Sequence, residues 1–343
     1  MGPLLTLKVH EVLRAAARNG TRTVECSLDL ERSTTSVEVG TDDWCWQGTR
    51  YPFLDACKDR TIYYWAGAAF QPAARYTNSL IKLVPTQWGP PTFEIDGIKM
   101  LPTAQVSPYA DAERKVGFIR PRGKVILDTC GGLGYFASWC LQGQAARVQS
   151  YEKNPDVIWL RGLNPWSPLP LATRESPSVA DGLPLAVRES PSVGDGLPLA
   201  VRESPSAGDV LPLAMRESRS VGDGLPLAVR ESPQAGGGLT LVQGDVAVAI
   251  AALPDQSFDA VLHDPPRFGI AGELYSQVFY DHLARVLRPR GLLFHYTGTP
   301  NKLTSGRDVP NEVTNRLRTA GFATELKGDG ILAVRGRTGG RGR

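Results

Sequence analysis

Two segments far apart in the chain limit its fold more than anything else in it. They are Val125-Ile-Leu-Asp-Thr-Cys-Gly-Gly-Leu-Gly134 and Phe258-Asp-Ala-Val-Leu-His-Asp-Pro-Pro-Arg-Phe268. Each reads as a buried parallel strand that ends in a loop. In an open α/β sheet, ligands bind beyond the carboxyl ends of the strands, where the strand order switches. Two such loops predict the two sides of one cleft, one for a nucleotide-like cofactor and one for a reacting group.

The surrounding pattern supports this. Val125–Asp128, 148–151, 239–242, 258–263, 291–296, 322–326 and 331–334 read as strands. Residues 135–141, 155–163, 246–253, 274–287 and 311–320 read as the intervening helices. Residues 120–335 are therefore expected to form a doubly wound α/β domain. Residues 1–119 lack that rhythm. Their short alternating runs, such as Thr35-Ser-Val-Glu-Val39 and Thr92-Phe-Glu-Ile-Asp96, predict a small β-rich accessory or substrate domain.

One stretch breaks the rhythm. From about 168 to 237 a 14-residue unit recurs, with its glutamates at Glu175, Glu189, Glu203, Glu217 and Glu231. The consensus, Glu-Ser-Pro-Ser-Val-Gly-Asp-Gly-Leu-Pro-Leu-Ala-Val-Arg, has two prolines and two glycines, which leave no room for a helix. It reads as a flexible, low-complexity insertion in a tolerant loop rather than a solenoid. The last residues, 336–343, are a basic Gly/Arg tail.

Bulk properties narrow the function classes. A net charge of +3 does not by itself imply a nucleic-acid partner. The five cysteines, Cys26, Cys45, Cys57, Cys130 and Cys140, are irregularly spaced and form no CxxC pair. That argues against a disulfide framework or a zinc site and favours a reducing, cytoplasmic setting. No apolar run is long enough to span a membrane, and no metal site is expected.

Several residues carry candidate chemistry. Gly132 and Gly134 let the backbone approach a ligand closely. Asp128 can pair with a cationic or hydroxyl group, and Glu152 can accept both hydroxyls of a ribose. Asp245 reads either as an acceptor for an adenine amino group or as a helix N-cap. The two prolines at 265 and 266 hold the chain extended, so that Asp264 and the Pro265 carbonyl become fixed acceptors suited to an amine. His263 is either a general base or a satisfied core histidine. Arg267 either binds an anionic substrate or pairs with a neighbouring acid.

These segments resemble the motifs of class I S-adenosylmethionine-dependent methyltransferases. More narrowly, Asn164-Pro-Trp-Ser167, His263-Asp-Pro-Pro-Arg-Phe268, Ala271-Gly-Glu-Leu-Tyr-Ser276 and Gly306-Arg-Asp308 resemble a largely uncharacterised, archaeal-type methyltransferase-like group. The likeness extends upstream to Lys82-Leu-Val-Pro-Thr86 and Ile95-Asp-Gly-Ile-Lys-Met100. It implies a Rossmann-like, seven-stranded methyltransferase sheet with S-adenosyl-L-methionine as cofactor. The implied cofactor set is Asp128, Thr129, Gly132, Gly134, Tyr135, Glu152, Asp245 and Val246. The implied acceptor set is Asp264, Pro265, His263 and Arg267. The chain departs from the motif at Cys130, where the first glycine of the loop is usual.

Asp-Pro-Pro motifs resemble those of amino-group methyltransferases, so a nitrogen acceptor is favoured over oxygen. Methylation of uridine carbon 5 needs a nucleophilic cysteine beyond the fifth strand, and no cysteine follows Cys140. RNA stays open as a substrate beside protein and small amines. The basic tail and the aromatic residues Trp44, Trp46, Tyr63, Tyr64 and Trp65 fit RNA, but such aromatics also serve as core. An aminopropyltransferase and a non-catalytic binding module are the other readings.

Overall fold

The chain was analysed as a computed structural model that describes residues 2–175, 238–298 and 308–336. The N-terminal part runs β1 (Leu4–Leu5), α1 (Leu7–Arg18), β2 (Thr23–Cys26), β3 (Thr35–Val39), β4 (Asp43–Trp46), β5 (Thr49–Pro52), β6 (Tyr63–Trp65), β7 (Phe70–Pro72), β8 (Ala74–Tyr76), β9 (Leu80–Val84), β10 (Thr92–Ile95) and β11 (Ile98–Lys99). The strands form three antiparallel sheets, ordered β1-β6-β7, β2-β3-β4-β5 and β11-β10-β9-β8. Sequence patterning missed α1. Its signals are the Thr6 N-cap, which accepts from the Val9 N–H, and the apolar spacing Val9, Leu13, Ala16.

Then follow α2 (Pro108–Ile119), β12 (Val125–Asp128), α3 (Tyr135–Gln142), β13 (Arg147–Glu152), α4 (Pro155–Leu163) and β14 (Ala172–Glu175). After the repeats come β15 (Gly238–Gln243), α5 (Val246–Ala249), β16 (Phe258–His263), α6 (Gln277–Val286), β17 (Leu287–Tyr296), α7 (Val309–Thr319), β18 (Phe322–Lys327) and β19 (Gly330–Arg335). Short 3₁₀ turns extend α5 (Ile250–Ala252) and precede α6 (Gly272–Tyr275).

The main sheet has eight strands, ordered β14-β15-β13-β12-β16-β17-β19-β18. All pairings from β14 to β17 are parallel, and β19 runs antiparallel to both of its neighbours. The order switches between β12 and β16, where Ile126, Leu127 and Asp128 lie opposite Ala260, Val261 and Leu262.

The expected seven strands are present, and β14 is an eighth, within the stretch from 168 that reads as insertion. The described chain runs on from 168 through β14, which pairs with β15 from Ala172 opposite Thr240 to Glu175 opposite Gln243. The repeats beyond Glu175, Gly306 and Arg307 of the last motif, and the tail from 337 lie outside the described residues.

Alternation along the strands makes two cores. Ile126, Val148, Leu239, Ala260 and Leu262 face a cluster with α2, α3 and α4. Leu127, Val242, Val261 and Leu293 face another with α6 and α7. The first cluster also takes in Leu4, Leu30, Ile62, Ile81, Leu83 and Phe93, so the N-terminal strands share a core with the α/β sheet. A third cluster, around Leu13, Val37 and Trp44, belongs to the N-terminal part alone. Trp44 and Tyr63 are buried in it, and Trp44 stacks on Tyr51 and Phe70. Among the described residues, no helix is long and apolar enough to cross a membrane.

Candidate active site

The glycine loop leaves β12 at the switch point. The Thr129 N–H donates to the Leu262 carbonyl at 3.1 Å, which ties the loop to β16 at its first residue. Gly131 donates to the Tyr151 carbonyl at 2.6 Å, and Gly134 to the Gly131 carbonyl at 2.7 Å. Gly132 (φ 48°) and Gly134 (φ 81°) adopt left-handed conformations that glycine tolerates best.

The glycines do different work. A side chain at Gly131 would collide with Ser150 Oγ, and one at Gly134 would lie 2.5 Å from the Arg161 guanidinium. Both are needed for the loop to close down on β13 and α4. Gly132 is half-buried, and a Cβ there would meet only the Phe93 ring, at 3.6 Å. It is the point of the loop that offers bare backbone to a ligand.

Glu152 ends β13 beside that point. Its Oε2 accepts from the Gly132 N–H at 2.9 Å, and its Oε1 accepts from the Asn154 N–H at 2.9 Å. The Lys153 N–H is a third backbone donor to this carboxylate, which with about four acceptor sites still has capacity for a further donor. Burial pushes its carboxyl up, and the backbone N–H donors and Arg161 oppose that shift.

Asp128 lies beneath the loop, 1% exposed, and accepts from Ser150 Oγ at 2.8 Å. Among the described residues its Oδ1 has no partner, and burial raises its pKa to about 6. Arg161, also buried, donates to Ser150 Oγ at 3.3 Å, and its Nε and Nη2 have no partner among the described residues. Thus Ser150 links an acid and a base of opposite charge under the loop.

The second loop begins at His263, which is fully buried. Its Nε2 lies 3.1 Å from the Leu274 carbonyl, which can only accept, so Nε2 carries the proton. Its Nδ1 then accepts from the Thr129 hydroxyl at 2.7 Å. Both ring nitrogens are engaged, and burial drives the imidazole strongly toward the neutral form. Of the two readings of His263, the geometry is that of the satisfied core histidine. It bolts the glycine loop to the second loop.

Asp264 is 21% exposed, and its Oδ2 accepts from Lys115 Nζ at 3.1 Å. Pro265 is buried, while Pro266 and Arg267 are exposed. The Pro266 carbonyl accepts from the Tyr275 hydroxyl at 3.0 Å. Phe268 packs edge-on against Tyr275, with centroids 5.4 Å apart. Asp264 and Cys130 lie close enough for both to push the Tyr275 phenol further up, beyond the effect of its burial. The two loops therefore converge on one wall.

The remaining members of the predicted set sit elsewhere in the packing. Tyr135 is buried, donates to the Pro91 carbonyl at 2.7 Å and accepts from Asn164 Nδ2 at 3.1 Å. Val246 is core. Asp245 caps α5, accepting from the Ala247 N–H at 2.9 Å, and its other oxygen accepts from Lys153 Nζ at 2.7 Å. Among the described residues, no group of three or more acidic, histidine or cysteine side chains could hold a metal ion.

No family model matches the chain. It is 32% identical over 280 residues to the uncharacterised protein MJ1233 of Methanocaldococcus jannaschii, a match that covers 80% of this chain and 74% of that protein. The chain belongs to the family of that protein. Solved structures similar to the fold include the following three. Spermidine synthase from Thermotoga maritima has a TM-score of 0.44 at 13% identity, over 77% of this chain and 72% of that one. An S-adenosylmethionine-dependent methyltransferase from Mesorhizobium loti has a TM-score of 0.32 at 14% identity, over 63% and 91%. Trm1 from Pyrococcus horikoshii, solved with S-adenosyl-L-methionine, has a TM-score of 0.37 at 12% identity, over 69% and 59%.

Within this family member, sequence reasoning passed over three residues of the site. Gly131 was visible beside the two glycines that were chosen. Arg161 and Lys115 lie on helices α4 and α2, where a basic residue in an amphipathic run looks solvated. A basic residue at helical spacing among buried positions, such as Lys115 between Ala112, Val116 and Ile119, was the available signal.

Proposed function

We propose that this protein is an S-adenosyl-L-methionine-dependent methyltransferase that acts on a nitrogen acceptor. The observation that carries the proposal is the pair of carboxylates, Glu152 and Asp264, at the ends of two strands on either side of the glycine loop.

The residues present fit such a cofactor. Gly132 presents backbone without a side chain, and Glu152 is already aimed at that backbone with acceptor capacity to spare for a ribose. Asp245 caps α5 and pairs with Lys153, and its carboxylate keeps acceptor capacity as that of Glu152 does. When bound, the cofactor supplies an electrophilic methyl group on a sulfonium. The protein's part is proximity, orientation and exclusion of water. Asp264 accepts the N–H of the incoming nitrogen, and the rigid Pro265-Pro266 pair keeps that acceptor in place. His263 moves no proton in this scheme, because both of its nitrogens are engaged.

Calorimetric titration with S-adenosyl-L-methionine and with its decarboxylated form tests the cofactor. Micromolar affinity for the first is expected, with a loss of about tenfold or more in Glu152→Ala, the scale of one charge-assisted hydrogen-bond set. Preference for the decarboxylated form would support aminopropyl transfer instead, and no binding at millimolar concentration would overturn the proposal. Transfer of a labelled methyl group into cell extract, treated beforehand with ribonuclease or protease, then separates RNA, protein and small amines as acceptors.

A further inference from the structure

Helix α2 carries a lysine on its buried face. Lys115 lies among Asp111, Ala112, Val116 and Ile119 and is 1% exposed. A buried ammonium is unfavourable unless it is paired, and this one is paired twice. Its Nζ lies 2.9 Å from Asp111 Oδ2 and 3.1 Å from Asp264 Oδ2. It also lies 3.7 Å from the centroid of the Tyr296 ring, a cation–π contact.

The two acids depend on Lys115 unequally. Asp111 has a second cation, Arg114, whose Nη2 lies 2.7 Å from Asp111 Oδ1 and 2.7 Å from Asp329 Oδ1. Asp264 has Lys115 as its ion-pair partner among the described residues. An apolar residue at 115 would fill the helix face equally well and would leave Asp111 paired. What it would not do is hold Asp264.

We propose that Lys115 is a positioning residue for Asp264: it locks Oδ2 of the carboxylate and leaves Oδ1 to accept the N–H of the substrate nitrogen. The proposal rests on the nitrogen-methyltransferase reading. Its consequence is that Asp264 works as an ionised acceptor rather than as a proton-bearing acid. Burial pushes the Asp264 carboxyl up, and Asp111 and Asp329 push it the same way, while Lys115 opposes all three. Lys115 in turn is held in its charged form by Asp264 and Asp111 against its own burial. The other titratable groups near this pair are Tyr296, Tyr275, Asp128 and Cys130, each of which Asp264 pushes upward.

The test is a ¹³C NMR titration of protein labelled at the aspartate carboxyl carbons, with the Asp264 signal assigned by its loss in Asp264→Asn. In the wild-type protein the Asp264 midpoint is expected below pH 7, and a midpoint above 7 would overturn the proposal without any variant. In Lys115→Met the midpoint is expected to rise by about one unit or more, with a loss of about tenfold or more in methyl transfer to cell extract at pH 7. Affinity for S-adenosyl-L-methionine is expected to stay within about threefold. Lys115→Arg, which keeps the charge, is expected to restore the midpoint in part. An unmoved Asp264 midpoint in folded Lys115→Met would assign Lys115 to packing alone. Absence of cofactor binding by the wild-type protein would instead strike the methyltransferase reading and leave the titration result standing.

Discussion

His263, which the sequence leaves between a general base and a core histidine, is buried beside His295. They lie opposite each other on β16 and β17, with ring centroids 4.4 Å apart. His295 Nδ1 lies 2.8 Å from the Tyr296 carbonyl and so carries the proton, and Nε2 accepts from the Tyr280 hydroxyl at 3.0 Å. Burial lowers its pKa to about 4. Two neutral imidazoles at this spacing are compatible, whereas protonation of either would place a charge in the core. A histidine depressed in the folded state contributes stability above its ordinary pKa of 6.5 and loses it as the pH falls toward the folded value. For His295 the window is pH 6.5 to about 4, and the full effect is about 3 kcal/mol. Asp128, raised to about 6, acts in the opposite sense over much of that window, because its burial favours the protonated form. The difference between the wild-type protein and His295→Gln isolates the histidine. Urea denaturation at pH 7 and pH 4.5 is expected to show the wild-type protein losing more stability than the variant. Equal losses would mean that His295 titrates normally.

At the scale of elements, what the sequence revealed depended on how local the signal was. The central strands β12 and β16 were plain because each is a short apolar run that stops at loop-forming residues. Helix α4 was placed from Pro155 to Leu163, with its proline in the first turn, as observed. Helix α1 was missed because β-leaning runs on both sides set the expectation, although Thr6 caps it. Strand β14 was missed because the repeated unit begins inside it, and Glu175 reads as part of a repeat rather than the end of a strand. The site followed the same rule. Asp128 and Glu152 end strands and Asp264 follows one, where sequence reading seeks candidates, while Lys115 and Arg161 lie on helices, where it does not. The Asn164-Pro-Trp-Ser167 motif is plain in the sequence, and its contacts give it a structural role. Asn164 is 1% exposed and donates to the Tyr135 hydroxyl; Trp166 Nε1 donates to the Leu30 carbonyl at 3.0 Å; Ser167 Oγ donates to the Leu133 carbonyl at 2.7 Å. The motif joins the glycine loop, α3 and the N-terminal strands. Asn164→Ala leaves Trp166 and Tyr135 without one partner each and is expected to cost about 1–3 kcal/mol by urea denaturation. Cofactor affinity is expected to fall with it if the joint also sets the loop.

At the scale of the whole molecule, the described residues that flank the repeats fix where the chain leaves and re-enters the sheet. Strand β14 ends at Glu175, opposite Gln243, so the chain leaves the sheet at its carboxyl edge. It re-enters at Gly238, the amino end of the adjacent parallel strand β15. Parallel neighbours cannot be joined by a tight turn, and a crossover connection takes about a dozen residues or more. The 62 residues from 176 to 237 far exceed that need. Loop length beyond the minimum costs little, since each doubling adds only about 0.6 kcal/mol of closure entropy. A deletion that begins at Pro168 would also remove β14 and expose the edge of β15, and so would confuse the repeats with the strand. The informative pair of variants keeps residues 1–178. One closes the gap with 14 residues, a single repeat unit, and the other with only three. The first is expected to match the full chain in thermal midpoint within about 3 °C and in affinity for S-adenosyl-L-methionine. The second is too short for the crossover, so it is expected to lose the β14 pairing and to melt lower or aggregate. Equal behaviour of the two would mean that β14 is dispensable. Failure of the 14-residue variant alone to fold would mean that the remaining repeats pack on the sheet.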